Sequence, residues 1–330
     1  MEARHRLHPR RLLLPIGLAA LATLVSACRS TPEVDPRYRP AENILEVVAV
    51  LRAHVADDTY RFAPARDFTG RNVYRSTLLR LESIERLHAN ALRAGHMDGV
   101  TAFAKARSLE RLRAYGLAEE FYREAAERDA ALRIEAQRSA DVCAELAEIV
   151  ALTSDAASSP DAPEPFAVTA ADPEAVLATF EERAARLESL GESVAATHHY
   201  YVVEEEIEYA DVERAQYFRG LRKVIADGDV RSVAEAQRVI VRHADSKNLN
   251  RHLLSLADLY ADLAVEYAEE NPPAGLSFDP ARFQELIDAG TRLYEMVANQ
   301  DGTPEKLEAS RRLEAFLAFA LAIDNDRFTP

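Results

Sequence analysis

The 330-residue chain has no tryptophan, three methionines, eleven glycines and two cysteines. With only Cys28 and Cys143, a disulfide-framed scaffold is excluded. No run of alternating apolar and polar residues appears, which removes the half-buried strand as a building unit. The phosphate-cradling pattern Gly-x-x-x-x-Gly-Lys and the nucleophile turn Gly-x-Ser-x-Gly are both absent. Positive charge is in deficit, with 40 Lys and Arg against 55 Asp and Glu, for a net charge of −15. That balance opposes a nucleic-acid partner held through phosphates and suits a well-solvated protein surface.

What is present is alanine, leucine, glutamate and arginine, with apolar residues returning every three or four positions. The pattern predicts an all-α protein with helices near 41–56, 74–93, 98–114, 117–151, 173–190, 193–209, 211–226, 231–244, 248–269, 280–299 and 304–322. Within 117–151 the apolar series from Ala118 to Val150 has no obvious stop, so one long helix and a boundary near Asp129 both fit. Asp172-Pro173, Asp279-Pro280 and Thr303-Pro304 each place a capping oxygen before a proline at the first helical position. Gly116, Gly191, Gly228 and Gly302 mark expected helix ends. Residues 153–171 are rich in Ala, Ser, Pro and Asp without periodicity and read as a linker or long loop. Residues 57–72 differ from the rest. Tyr60, Arg61, Phe62, Arg66, Phe68 and Arg71 make a nonhelical stretch that either covers the first helix pair or forms a binding loop.

The first 27 residues carry Arg4, Arg6, Arg10 and Arg11, an apolar run from Leu12 to Leu24, and Val25-Ser26-Ala27 directly before Cys28. The run is short and interrupted by Pro15 and Gly17, which argues against a permanent membrane span. Basic residues hold such a start on the cytoplasmic side. This order resembles a bacterial lipoprotein signal peptide with its lipobox. The resemblance implies a cleaved leader over 1–27, fatty acylation (palmitate) of Cys28, and a membrane partner reached through the acyl chains. Two or more chains hold a protein stably at a bilayer, whereas one holds it marginally. Residues 28–42 then comprise the lipidated cysteine and a polar tether kept open by Pro32, Pro36 and Pro40. Arg29 after the cysteine, with no Asp there, implies by family analogy the periplasmic face of an outer membrane, with the inner membrane and cell surface as alternatives. The general and twin-arginine export routes both remain open. Removing the leader, with its four arginines and Glu2, takes the net charge from −15 to −18. Cys143 lies at an apolar helical position with Ala140, Leu146 and Ala147, the setting of a buried, inert thiol.

Within the helices, Ala106, Leu109, Ala118, Tyr122 and Ala125 have a small-large-small-aromatic-small spacing. Ala184, Leu187, Ala196 and Tyr200 repeat it, and Leu256-Ala257-Asp258-Leu259-Tyr260 echoes it. The spacing resembles a degenerate tetratricopeptide repeat (TPR), in which two antiparallel helices approach where small residues meet. The resemblance implies antiparallel hairpins stacked as a TPR-like α-solenoid, in helical repeat regions over 43–152 and 172–330. A generic array of helical hairpins fits the same residues. In the repeat register Phe103, Arg107, Glu110 and Arg111 face the inner side of the superhelix, as do Arg251, Asp258 and Asp262. Such faces take extended peptides or partner helices.

Candidate chemistry is sparse. His198-His199 is followed by Glu204, Glu205, Glu206 and Glu208, but adjacent residues diverge on a helix and no Glu lies three or four positions from either histidine. Neither a metal nor any other cofactor is expected, and no catalytic residues are assigned. Glu192-Ser193 resembles the catalytic dipeptide of lytic transglycosylases, but the Gly-Leu-Met-Gln element expected downstream is missing. The leading expectation is a non-catalytic, membrane-anchored envelope lipoprotein that binds another protein or peptide as scaffold or assembly adaptor. The alternatives are a ligand- or solute-binding lipoprotein with a cavity between helical halves and a helical cell-wall hydrolase.

Overall fold

The computed structural model describes residues 73–157 and 173–327. Among the described residues every regular element is an α-helix: α1 Val73–Ala94, α2 Asp98–Arg111, α3 Tyr115–Arg128, α4 Arg133–Ala157, α5 Pro173–Val194, α6 His199–Leu221, α7 Gly228–Arg242, α8 Leu249–Glu270, α9 Pro280–Ala298 and α10 Glu305–Asp326. None of these helices is long and apolar enough to cross a membrane. The leader, Cys28, the tether, the expected helix over 41–56, the stretch 57–72 with Tyr60, Arg61, Phe62, Arg66, Phe68 and Arg71, and residues 158–171 of the linker lie outside the described residues.

Of the two readings open for 117–151, the structure takes the boundary: the span is broken into α3 and α4 at Asp129, whose backbone is extended (φ −130°, ψ 109°). Its carboxylate accepts a hydrogen bond from the Ala131 amide at 2.8 Å, an Asx turn that competes with the helix. Conversely, the expected helices 193–209 and 211–226 are one helix, α6. Asp211, inside α6, gives its carboxylate to Arg238 of α7 and to His243 just beyond it and caps nothing. Gly191 lies inside α5, which runs on to Val194 before the chain turns.

The proline starts divide similarly. Asp279 accepts from the Ala281 and Arg282 amides with Pro280 at the first turn. Thr303 instead donates its hydroxyl to the Gln300 carbonyl, and α10 begins without a side-chain cap. Asp172 lies outside the described residues.

Each helix packs chiefly on its neighbours in the chain; α4–α6 and α8–α10 also touch across an intervening helix. Small residues set the closeness of the α2–α4 crossings, where Ala106, Ala118, Ala125 and Ala136 are fully buried. One apolar core runs through α2–α6, centred on Tyr122, Leu146, Ile149, Leu187 and Val203. A second runs through α8–α10, around Phe283, Ile287, Tyr294 and Phe316. Full burial of a side chain such as Leu146 or Leu187 stabilises by about 1.5–3 kcal/mol. Cys143 is buried in the first core as a free thiol, in keeping with its apolar sequence position.

The α6–α7 turn is the tightest point of the chain. Asp227 adopts the left-handed conformation (φ 54°), and a Cβ added at Gly228 would lie 2.1 Å from the Arg222 carbonyl oxygen. Backbone cannot yield to that overlap. Gly228→Ala is therefore expected to destabilise the protein by about 1–3 kcal/mol. Gly116, with nothing within 4 Å of an added Cβ, should gain about 0.5–1 kcal/mol as Gly116→Ala. Urea denaturation of the two variants checks the opposite signs.

Candidate functional site

Two polar clusters lie in the first core, where α2 and α3 meet the start of α6. The lower one centres on Glu206, a helix position flanked by Val202, Val203, Ile207 and Ala210 and 0% exposed. Its carboxylate accepts from Arg113 Nε at 2.6 Å and Arg113 Nη2 at 2.8 Å. The Tyr115 hydroxyl donates to the same carboxylate at 2.6 Å. Arg183 of α5, also 0% exposed, approaches it at 3.8 Å and pairs with Glu213. Arg113 reaches this carboxylate from a left-handed backbone (φ 62°) in the α2–α3 turn, a conformation that costs an ordinary residue about 1–3 kcal/mol. Burial and the adjacent Glu206 carboxylate push the Tyr115 hydroxyl well above its ordinary pKa, so it stays a donor.

The upper cluster contains Arg107 and Glu110 of α2, Tyr122 of α3, Cys143 of α4, and His198 and His199 at the start of α6. Glu110 is 1% exposed. The Tyr122 hydroxyl donates to it at 2.7 Å. Burial pushes the Glu110 carboxyl up, but Arg107, the two histidines and Tyr122 together hold it below the usual carboxylate range. Burial is the main cause that pulls His198 down to about 3, and it lowers His199 as well. Both imidazoles are thus neutral at physiological pH. The Cys143 thiol is pushed up by burial and by Glu110, which makes it a poor nucleophile.

The residues expected to line an inner face are distributed differently. Phe103 packs edge-on against Tyr122, with ring centroids 5.2 Å apart. Arg107 bonds His198. Glu110 is enclosed and does not face solvent, because Tyr122 and the histidines close over it. Arg111 is engaged by Glu205 of α6 at 3.2 Å. Arg107, Glu110 and Arg111 meet His198, His199 and Glu205 at the start of α6, while Phe103 packs on α3. Arg251, Asp258 and Asp262, on α8, do not join them. Arg251 pairs with Glu305 at 3.1 Å, Asp258 receives Tyr294 at 2.7 Å and also Arg312, and Asp262 pairs with Arg219 at 2.6 Å.

Arg251 and Arg219 also line a groove between α6, α7 and α8, with a volume of about 290 Å³. Its apolar lining comes from Val212 and Ala215, Ala236 and Val239, and Leu259. At one end Glu208 accepts from Ser246 at 2.7 Å and bonds His252 Nε2 at 2.6 Å. Burial raises the Glu208 carboxyl, but the hydrogen bonds from His252, Ser246 and Asn248 outweigh it and hold it below the usual range. A second cavity of about 440 Å³ opens between α7, α8 and α9.

Sequence reasoning missed Glu206, Arg183, Arg113 and the meeting of Glu110 with His198 and His199. One signal was available for Glu206, a glutamate set among apolar neighbours at helical spacing, and none for Glu110, which has Arg107 and Arg113 at that spacing. Their partners come from other helices and leave no local pattern. No protein-family model, curated protein or solved structure matches this chain.

Glu206→Gln leaves Arg113 without its counter-charge, while Arg183 keeps Glu213, and is expected to cost about 3–5 kcal/mol in urea denaturation. For Glu208 the folded carboxyl binds its proton more weakly than the unfolded one. Its contribution is therefore present above the unfolded pKa, near 4.5, and is lost as pH falls through the folded value. The loss should proceed at no more than about 1.4 kcal/mol per pH unit. Comparing unfolding midpoints from pH 6 downward, Glu208→Gln should show a shallower decline below about pH 4.5 than the wild type.

Proposed function

We propose that the protein is an envelope lipoprotein, anchored through acyl chains on Cys28, whose helical body is a TPR-like α-solenoid that binds a segment of another protein. The observation that carries the binding half of this reading is the groove between α6, α7 and α8. Its apolar lining from Val212, Ala236, Val239 and Leu259 is interspersed with the cations Arg219 and Arg251. An extended or helical segment with apolar side chains at regular spacing and acidic flanks fits that lining. The anchoring half rests on the ordered series of arginines, apolar run and small residues before Cys28. Chain-neighbour packing supports the solenoid, since in such arrays each hairpin contacts mainly the next.

In this reading the tether places the groove away from the bilayer, on the periplasmic face of an outer membrane, and the protein acts as scaffold or assembly adaptor without chemistry of its own. Labelled palmitate should enter the wild-type chain and not Cys28→Ala. A photo-crosslinking side chain at Ala236, in the groove, should give one discrete adduct in intact cells. The same group at Val241, exposed elsewhere on α7, should give none. Absence of label, or equal adducts from both positions, rejects the corresponding half.

A further inference from the structure

In the upper cluster two buried polar atoms, His199 Nε2 and Glu110 Oε1, have no hydrogen-bond partner. Thr197 donates its hydroxyl to the Val194 carbonyl at 2.8 Å, so its oxygen can only accept from His199 Nδ1, 3.3 Å away. The proton of His199 is thereby placed on Nδ1, and Nε2 is left with a bare lone pair. That Nε2 is buried, has no hydrogen-bond partner, and faces Glu110 Oε2 at 3.7 Å. Arginine cannot accept, so His198 Nε2 also carries a lone pair, which Arg107 occupies. It lies 3.8 Å from Glu110 Oε1, the second buried atom without a hydrogen-bond partner. Two imidazole lone pairs and a carboxylate therefore converge, and Arg107 is the one side chain that donates to an imidazole there.

From this arrangement we propose that Glu110, His198 and His199 bind one divalent transition-metal ion of the zinc class, with the Arg107 guanidinium occupying the cation's place until the ion enters. The three ligand atoms lie within 4.8 Å of one another. A tetrahedral ion with bonds of about 2.0–2.2 Å needs ligand atoms roughly 3.3–3.6 Å apart, so the set contracts from separations of up to 4.8 Å, each imidazole now facing a different Glu110 oxygen, at 3.8 and 3.7 Å. Two nitrogens and one carboxylate favour zinc-like ions over calcium or magnesium, which prefer oxygen alone.

The outer contacts suit ligation. Thr197 orients His199, the Glu135 carboxylate lies 3.9 Å from His198 Nδ1, and Tyr122 holds Glu110. His198 and His199 can act together, although adjacent, because His198 stands before α6 and the two rings lie 3.6 Å apart. Bound there, the ion ties α2 to the start of α6, and Arg107 is released toward the partly open side of His198, which is 17% exposed. This site is independent of the membrane anchor and of the groove.

The full chain, stripped with a chelator that is then removed, is titrated with Zn²⁺ and with Co²⁺. The expected result is one ion per chain, intense visible Co²⁺ bands of a tetrahedral site, and a melting temperature raised by Zn²⁺. His198→Gln should weaken binding at least tenfold, in the range typical of disturbed metal sites (about 10–100-fold). Arg107→Gln should strengthen it by about tenfold, since the ion no longer displaces a bound cation. A purely structural Arg107 predicts lower stability with unchanged metal affinity. Failure of the folded wild type to bind either ion, binding that His198→Gln leaves unaltered, or an unchanged affinity in Arg107→Gln each overturns the proposal.

Discussion

The buried carboxylate of Glu206 is the contact on which the α2–α6 part of the structure depends. It joins the α2–α3 turn, through Arg113 and Tyr115, to α5, through Arg183, while itself belonging to α6. The apolar surfaces around it are built from alanine, leucine, valine and isoleucine, whose attraction is non-directional. A carboxylate receiving a two-point bond from one guanidinium is directional. It also holds Arg113 in a left-handed backbone conformation that its own side chain does not favour. The hydrophobic effect thus supplies most of the free energy, and the ion network adds directional contacts between the α2–α3 turn, α5 and α6.

The same division recurs along the chain. Asp211 gathers Arg238, Arg242 and His243, Glu208 gathers Ser246, Asn248 and His252, and Asp258 gathers Tyr294 and Arg312. Each acidic residue stands on a helix near an apolar core and draws its partners from a later helix or turn. Such a design leaves the grooves between helices lined by side chains already oriented by their neighbours. Arg219 and Arg251 enter the α6–α8 groove with their geometry set by Asp262 and Glu305. A partner meeting that surface would therefore find guanidinium groups with little conformational entropy left to lose.

Helix content was legible from periodicity, and most boundaries were within a few residues. What periodicity left open and what it missed share a cause. Asp129 breaks a continuous apolar series because an Asx turn competes locally, while Asp211, of the same residue type, breaks nothing because its carboxylate is engaged by α7. Thr303 and Asp279 precede prolines alike, yet only Asp279 caps. Whether a polar side chain serves its own backbone or a distant partner is decided by what packs against it. The inner-face residues met the same limit. Arg107, Glu110 and Arg111 fall on one helical face as their spacing requires, but that face is covered by α6.

By itself, the sequence determines that the chain is helical, that it is acidic, that no disulfide framework exists, and that four arginines and an apolar run precede Cys28. These depend on composition and on periods of three to four residues, which are local properties. Only the tertiary structure places Glu110 against two histidines almost ninety positions later and Glu206 against Arg113 and Arg183. Those meetings depend on how helices cross, and crossings are set by the volumes of side chains on both partners, which no single stretch of sequence records.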